Sequence, residues 1–569
     1  MRMEKRVVKR ALAPLAWTLI ALIAGWLLWP ALNPVHVEGF SASVVALGLH
    51  VAQGTVADFM PFAAFDADYF GLTKLGVVLG VDLLSPILGG DGAMRLIMIV
   101  SFVVFVAASA DLVRRWTSAR WIVIAFVLVL TPGVAESAFF YNDNVPAAAL
   151  TALALAVLNR ARSWPLAIIT GLLIGCAIAI RTDVVLLAVT AAPLIAWKRE
   201  GLRRGALSTV IAGAAALAVL VAIFAAVHSS PLDAIRAGAY ATKLWNRPAG
   251  VLLPIVQFVY FCGLPSLVLI LLGIFELRRR RDWRTLALLT GVPLACCAVL
   301  VESLWETRQF LTYTPFLCGL AALGVESAML DLRVGRRFLP ALLGVFVLLV
   351  LAAPPLGVVV SDGPRELLGR LGGIGLWNNW QVGVRHDLAT VEKVVTSLRP
   401  GRLTAVLTDG WDDDRYLHLE LVEGGFRRST LPPACDLIGE GMSRADRTLV
   451  QLTLLQSFVP YWPALQPQRL EQGALPCLAA VRPTEIILLG RKARIDALLS
   501  PRASGRPLGP DISLTRSSPV IAVPLDSNGL AMLDKAYRRE ATALGQTHDL
   551  REANATVASR SAFSRPSGS

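Results

Sequence analysis

Apolar runs long enough to cross a lipid bilayer recur along the first two thirds of the chain. A helix needs about 20 mostly apolar residues to span the hydrocarbon core, and polar or charged residues separate one run from the next. The first run follows a basic N-terminus, as in a signal peptide, but no small-residue cleavage site follows it, so we interpret it as a retained helix. The pattern predicts eleven spans, at approximately residues 11–29, 93–113, 120–132, 145–159, 164–180, 184–197, 206–227, 251–275, 285–301, 311–329 and 338–360.

The pattern changes after about residue 361, where proline, glycine and charged residues become more frequent. Short β-like runs follow at residues 403–408, 485–489 and 520–523, and helical stretches such as 387–398 separate them. The last residues are rich in Ser, Ala and Arg without periodicity, which is typical of disorder. We therefore predict three regions: a transmembrane domain at 1–361, an α/β domain at 362–540 and a disordered tail at 541–569.

Composition supports a membrane protein and argues against a nucleic-acid partner. Of the 569 residues, 55% are hydrophobic and only 17% are charged, whereas soluble domains carry about 25% charged residues. The net charge of +13 would suit nucleic acid if it were concentrated on one surface. Instead the basic residues form short clusters between apolar runs, as they do in the cytoplasmic loops of membrane proteins.

The distribution of positive charge orients the predicted helices, because cytoplasmic loops carry an excess of Lys and Arg. With a cytoplasmic N-terminus, the inside segments hold 22 Lys and Arg residues and the outside connections hold at most seven. An odd number of spans then places the C-terminal domain outside, with a first outer loop at about 30–92 and a second at 133–144. The predicted fold is a polytopic α-helical protein of a bacterial inner membrane, with a periplasmic C-terminal α/β domain.

Two cysteines, Cys435 and Cys477, lie in the polar C-terminal third. In an oxidising compartment they can form a disulfide, and the alternative is a pair of free or buried thiols. The other five cysteines fall inside apolar runs without metal-ligand spacing, where Cys usually behaves as a small hydrophobe.

The first outer loop contains two carboxylates beside aromatic residues, Asp66 and Asp68 with Tyr69. Charged groups near a bilayer are costly and are commonly functional. A carboxylate at a membrane edge has a raised pKa, which suits a general base. The alternative is that one aspartate caps a helix starting near residue 72. Flanking stretches at 41–55 and 69–84 have helical spacing but too few apolar residues to span, which predicts helices in the interface.

The second outer loop adds further polar groups just before a predicted span: Tyr141, Asn142, Asp143 and Asn144. Asn144 is a plausible helix cap, with Pro146 in the first turn. A cap accounts for one polar residue and leaves the others unexplained. Two acidic outer loops at successive helix exits therefore favour a converging site.

Basic residues occur on the same predicted face, including Arg181, Lys243 and Arg308, and Glu302 and Glu306 lie close to Arg308 in sequence. An arginine at a membrane boundary commonly extends its head towards the lipid headgroups. Arginine is also the preferred partner of phosphate, because its planar fork donates two parallel hydrogen bonds. Both interpretations stay open at this point.

These motifs resemble the GT-C superfamily of polyprenyl-phosphate-dependent membrane glycosyltransferases. The segment Asp66-Ala67-Asp68-Tyr69-Phe70 is similar to the first-loop Asp-Glu-x-x-Tyr element of that family, with Ala67 in place of the usual Glu. Asp143 matches the acid of the second loop. The Arg308-Gln309-Phe310…Pro315 stretch is similar to an Arg-Tyr…Pro element before a late span. The resemblance covers about residues 10–335.

The resemblance implies an inverting transfer of a sugar from a polyprenyl-phosphate donor to a lipid, glycan or protein acceptor. Asp66 or Asp68 would be the general base, with Asp66 slightly favoured, and Asp143 would position the acceptor or share that role. Arg308, Arg181 and Lys243 would bind the donor phosphate. The residues next to them would contact the acceptor or sugar: Tyr69, Tyr141, Asn142, Asn144, Glu302 and Glu306.

No cofactor is expected, although three acids from two loops could hold a divalent cation, a possibility that we do not favour. Three other functions compete with transfer. A transporter would need polar or broken helices at mid-membrane, and the predicted spans are apolar. A non-catalytic scaffold for envelope polysaccharide, or an O-antigen ligase, would place similar residues outside.

Overall fold

A computed structural model describes residues 39–55, 71–117, 119–131, 133–134, 137, 142–160, 163–245, 252–300, 307–331, 389–408, 411–435, 439–445, 447–453, 474–499, 520–525, 531 and 533–535. The chain divides into two compact units, residues 1–385 and 386–569. The first is helical and the second contains a β-sheet. The domain boundary predicted near residue 361 and the predicted tail lie outside the described residues.

The first unit is a bundle of helices. In chain order they are α1 (Gly39–Ala52), α2 (Leu75–Thr117), α3 (Trp121–Leu130), α4 (Asn144–Arg160), α5 (Trp164–Ile180), α6 (Val184–Glu200), α7 (Leu202–Ala226), α8 (Pro231–Trp245), α9 (Leu252–Cys262), α10 (Leu264–Arg279), α11 (Trp283–Val299) and α12 (Thr314–Asp331), and a 3₁₀ segment Thr307–Tyr313 leads into α12.

Three helical segments of the described chain are long and apolar enough to cross a membrane: Leu75–Thr117, Leu202–Ala226 and Arg308–Ala328. Shorter apolar helices occupy Ala42–Ala52, Asn144–Arg160, Trp164–Ile180 and Trp283–Val299. The predicted spans at 11–29 and 338–360 lie outside the described residues, so the count of eleven stays a prediction.

Two predicted spans are interrupted in the structure. The run at 251–275 forms α9 and α10, which meet at Gly263, where φ is 70°. The run at 285–301 corresponds to α11, which widens into a π-helical turn at Ala287–Gly291. Hydropathy does not reveal these breaks, because apolar side chains continue through them.

Helix α2 folds back on itself at Gly89. This residue has φ 72° and ψ 171°, a conformation that favours glycine. A Cβ atom on Gly80 would lie 3.1 Å from Cδ1 of Ile97, although seventeen residues of straight helix would separate the two by about 25 Å. The sequence predicted two separate helices here, at 69–84 and 93–113, and the structure joins them through this sharp bend.

Close backbone packing holds neighbouring helices together. Helix α5 packs against α7 through Gly171 and Gly175, whose Cβ positions would collide with the backbone at Ala212 and Ala216. Small residues four apart allow this approach in membrane helices. Large apolar side chains remain exposed on the outside of the bundle: Val185, Val189, Val210, Leu217, Val221, Leu271 and Phe275. This surface suits contact with lipid.

The second unit is built around a six-stranded mixed sheet in the order β2-β3-β4-β1-β5-β6. The strands are β1 (Leu403–Thr408), β2 (Arg427–Ser429), β3 (Gly439–Arg444), β4 (Arg447–Thr453), β5 (Glu485–Arg491) and β6 (Val520–Leu525). Strand β1 pairs in parallel with β4 and β5, and the other pairs are antiparallel. The helices of this unit are α13 (residues 389–397), α14 (Trp411–Glu423), α15 (Ala474–Val481) and α16 (Lys492–Leu499).

The α/β character and the strands predicted at 403–408, 485–489 and 520–523 agree with this sheet, whereas β2, β3 and β4 were not predicted. The acidic residues 412–414 lie in the first turn of α14.

The structure joins Cys435 and Cys477 in a disulfide, with a Cα–Cα distance of 4.8 Å. Both residues are buried in the core beneath the sheet, beside Leu407, Val450 and Leu488. The disulfide joins two residues that are 42 positions apart in the sequence.

Replacing both cysteines by alanine is expected to destabilise the second unit by about 2 to 4 kcal/mol, because the unfolded chain regains the freedom that the bond removes. Limited proteolysis of the full chain would show faster cleavage after residue 386 than in the native protein. Cys176→Ala, which removes a free thiol from α5, is the control. Equal cleavage rates in all three proteins would contradict a stabilising disulfide.

Candidate functional site

Two oppositely charged residues meet at the starts of two helices. Lys74 immediately precedes α2 and Asp143 immediately precedes α4. The Lys74 Nζ atom donates to Asp143 Oδ2 at 2.5 Å, and the two side chains are only 12% and 16% exposed. An ion pair shielded from water to this degree is a specific contact rather than a transient surface pairing.

Arg181 adds a second cation to the same carboxylate oxygen. It lies in the short turn between α5 and α6, and its Nη1 atom is 3.2 Å from Asp143 Oδ2. Its Nε and Nη2 atoms donate to the two oxygens of Asp183, at 3.0 and 2.9 Å. Lys74, Asp143, Arg181 and Asp183 therefore form a chain of alternating charges, which we call the charged cluster.

Asn142 caps helix α4, so the neighbouring Asp143 carboxylate is available to pair with the two cations. The Asn142 Oδ1 atom accepts from the backbone N–H of Val145 at 3.0 Å, and its Nδ2 atom donates to the carbonyl of Ser137 at 3.0 Å. Asn142 thus caps α4, whereas the sequence predicted Asn144 as the cap. Asn144 is also buried, and its Nδ2 atom lies 3.4 Å from Asp143 Oδ1.

Gly76 allows the first turn of α2 to approach the end of α5. A Cβ atom at this position would lie 2.5 Å from Cγ1 of Ile180 and 3.2 Å from its backbone nitrogen. Ile180 directly precedes Arg181, and Gly76 follows Lys74 by two residues. Because Gly76 has no side chain, α2 lies close enough to the end of α5 for Lys74 and Arg181 both to contact Asp143.

The Asp143 carboxyl remains ionised because of its neighbours. Burial by itself raises its pKa, but the positive charges of Lys74 and Arg181 and the hydrogen bond from Lys74 outweigh burial and hold the pKa below its ordinary value. A carboxylate with a lowered pKa is a weak proton acceptor. In the structure the Asp143 carboxylate therefore stays charged and pairs with the two cations.

The charged cluster lies at one end of the helical unit. At the far end of α4, Arg160 pairs with Asp111 at 2.6 Å, and Arg115 pairs with the same carboxylate at 3.1 Å. Helix α5 returns from that end to Arg181. The sequence predicted Arg115 and Arg160 inside and the residues of the charged cluster outside, and the structure places the two groups at opposite ends.

Arg308 is half-buried at the start of the 3₁₀ segment Thr307–Tyr313. That segment packs against α4, the helix that Asp143 precedes. Its last residue, Tyr313, is buried and lies near Asp183 and Arg181. The segment that carries Arg308 therefore borders the charged cluster.

Lys243 lies near the end of α8. A Cβ atom on Gly238 of the same helix would lie 3.8 Å from both Thr73 and Thr182. Helix α8 thus passes beside the residues next to Lys74 and Arg181 in sequence. The outer connection between the predicted spans at 206–227 and 251–275, which carries Lys243, is therefore helical over Pro231–Trp245.

Six predicted site residues lie outside the described part of the chain: Asp66, Asp68, Tyr69, Tyr141, Glu302 and Glu306. Two members of the charged cluster were not predicted as site residues, Lys74 and Asp183. Lys74 did stand out as one of the few cations in the outer connections, four residues after Phe70. No group of three metal-ligating side chains occurs among the residues that the structure describes.

No protein-family model and no curated protein sequence matches the chain. Among solved structures, it is similar to ArnT from Cupriavidus metallidurans bound to undecaprenyl phosphate, with 14% identity and a TM-score of 0.48 over 76% of this chain and 97% of that chain. It is also similar to the oligosaccharyltransferase AglB from Archaeoglobus fulgidus in complex with an inhibitory peptide and a dolichol-phosphate. That match has 12% identity and a TM-score of 0.42 over 71% of this chain and 63% of that chain.

TM-scores below 0.5 do not establish a common reaction, so we argue the function from the charged cluster itself.

Proposed function

We propose that this chain is a membrane glycosyltransferase that moves a sugar from a polyprenyl-phosphate donor to a cell-envelope acceptor. One observation carries the proposal: two cations from separate helices, Lys74 and Arg181, converge on a single carboxylate oxygen of Asp143. This arrangement is a preformed binding site for an anion at the end of the bundle where few other basic residues occur. The positive-inside pattern supports placing that end on the periplasmic side of a bacterial inner membrane.

The donor phosphate takes the place of Asp143 as the partner of the two cations. Lysine supplies a point charge and arginine a planar fork, and both suit phosphate oxygens. Arg308 and Lys243 extend the positive charge, because their segments border the charged cluster. The polyprenyl chain then lies along the apolar outer surface of the helices.

The reaction exchanges one bond for another at the anomeric carbon. The acceptor hydroxyl oxygen attacks that carbon while its proton passes to the carboxylate of Asp66 or Asp68. The bond between the anomeric carbon and the phosphate oxygen breaks, and its electron pair stays on the departing polyprenyl phosphate. Lys74 and Arg181 stabilise the negative charge that develops on this phosphate, as preorganised donors do in other enzymes. Attack opposite the leaving group inverts the configuration.

Asp143 holds the two cations in place before and after transfer. Its lowered pKa keeps it ionised at neutral pH, so it does not need to exchange a proton during the reaction. The acceptor and sugar would contact Tyr69 beside the proposed bases, Tyr141 just before Asn142, and Glu302 and Glu306, which precede Arg308 in sequence.

The experiment is transfer from a labelled polyprenyl-phosphate sugar by the purified full chain, comparing Asp66→Asn, Asp68→Asn and Asp143→Asn across pH. Loss of the general base is expected to slow transfer by about 10² to 10⁴-fold and to change the acid side of the pH profile. Asp143→Asn is expected to slow transfer while the acid side keeps its midpoint, because a carboxyl with a lowered pKa is already ionised across that range.

Asp233→Asn, in α8 and outside the charged cluster, is the matched control and should transfer like the wild type. Three active-site variants that all match an active wild type would disprove the site. A wild type that transfers nothing from any donor would favour a scaffold that assembles envelope polysaccharide.

A further inference from the structure

The end of the helical unit opposite the charged cluster carries many basic side chains on two adjacent turns. One turn joins α6 to α7 and the other joins α10 to α11. Residues 197–205 and 276–285 together hold nine Lys and Arg residues and three acidic residues. The excess of positive charge is therefore local and large.

Contacts between the turns make them one surface. The Lys198 Nζ atom donates to Thr285 Oγ1 at 2.6 Å, and the Arg284 guanidinium lies 5.3 Å from the centre of the Trp197 ring. Gly205 at the start of α7 packs directly against the backbone at Trp197. Helices α6, α7 and α11 thus meet at this point, and we call it the basic-aromatic surface.

The acidic residues of this region are already engaged. Glu276 pairs with Arg279 and Arg280, and Glu200 pairs with Arg199. Asp282 caps α11 by accepting from the backbone N–H and the hydroxyl of Thr285. Exposed arginines remain that have no acidic partner among the described residues: Arg203, Arg204, Arg278 and Arg281. Their charge is available for an external anion.

Tryptophan positions show where this surface lies relative to lipid. Among the side chains that the structure describes, three tryptophans are exposed: Trp164 by 68%, Trp197 by 40% and Trp283 by 58%. Trp164 begins α5 and Trp283 begins α11, so all three lie at the same end. Tryptophan collects at the level of the lipid headgroups, which is also the depth of the phosphates. Exposed Leu202 and Leu207 on α7 continue from this level towards the acyl chains.

We propose that the basic-aromatic surface binds the headgroup of an anionic phospholipid in the adjoining leaflet. Arg204 and Arg284 contact the phosphate, Trp197 and Trp283 flank the glycerol region, and an acyl chain follows the apolar face of α7. Basic pockets between transmembrane helices recognise anionic headgroups in this way. The proposal stands apart from the transfer reaction, which uses the opposite end of the unit.

Native mass spectrometry of the delipidated full chain in detergent tests the proposal, with phosphatidylglycerol as the anionic probe and phosphatidylcholine as the neutral one. Arg204→Gln/Arg284→Gln is expected to weaken binding of the first phosphatidylglycerol by more than about tenfold, since each basic residue near an anionic surface contributes about fivefold. Phosphatidylcholine binding should not change.

Arg114→Gln/Arg120→Gln removes two exposed positive charges at the same end but away from the basic-aromatic surface, and it should leave phosphatidylglycerol binding nearly unchanged. Wild-type affinity in Arg204→Gln/Arg284→Gln would overturn the proposal. An equal loss in the control pair would overturn it too, because it would show general attraction by positive charge instead of a site.

Discussion

Lys74→Met is expected to lower kcat/KM for transfer from a polyprenyl-phosphate sugar by about 10² to 10³-fold. The substitution keeps the length of the side chain and removes the positive charge that lies 2.5 Å from Asp143. In the proposed reaction this charge stabilises the departing phosphate, so the loss should appear mainly in kcat. Arg181 still compensates Asp143, so the variant should fold. Steady-state transfer with a labelled donor gives both constants.

Lys74→Arg should recover part of the lost rate, because it restores the charge with a different shape. Arg236→Gln is the matched control, since Arg236 is a cation of α8 whose side chain is 78% exposed. If Lys74→Met transferred as fast as Arg236→Gln, the charged cluster would not be the phosphate site.

Gly76→Ala is expected to lower transfer by about a hundredfold without changing any charge. The added Cβ atom would collide with the Ile180 side chain and crowd its backbone nitrogen. Either α2 or the turn holding Arg181 must then move, and a displacement of about 1 Å can reduce catalysis by that factor. Overpacking should also lower stability by about 1 to 3 kcal/mol. Transfer assays and thermal unfolding in detergent measure the two effects.

Gly213→Ala provides the control, because it adds the same methyl group to α7 where no atom lies within 4 Å. It should leave transfer unchanged and slightly favour the helix. Activity in Gly76→Ala equal to that of Gly213→Ala would show that the spacing between Lys74 and Arg181 is not critical.

Hydropathy and charge predicted much of the helical unit, including the starts of α4 and α5 and the placement of Asp143 and Arg181 at one end. They did not predict the partnership with Lys74. That contact links residues 69 positions apart and depends on the bend at Gly89. The sequence predicted a break between the helices at 69–84 and 93–113, where Gly89 lies, but it did not predict the direction in which the chain continues after the break.

The β-sheet was also predicted only in part, for a different reason. Strands β1, β5 and β6 are apolar and were predicted from their own residues. Strand β3 has the sequence Gly-Glu-Gly-Met-Ser-Arg, which has little strand propensity. It is a strand because its backbone pairs with β2 on one side and β4 on the other. The residues of β3 alone do not identify these partners.

The charged cluster contains equal numbers of cations and carboxylates, and this affects product release in the proposed reaction. Two cations and two carboxylates pair with one another in the structure, so a phosphate that binds there must displace a resident carboxylate. This competition weakens donor binding, but it also acts on the product. In the proposed reaction, Asp143 is already in position to replace the polyprenyl phosphate when it departs, so Lys74 and Arg181 are never left buried and uncompensated. The enzyme would then carry its own competitor for product release, and removing Asp143 should make polyprenyl phosphate a stronger product inhibitor.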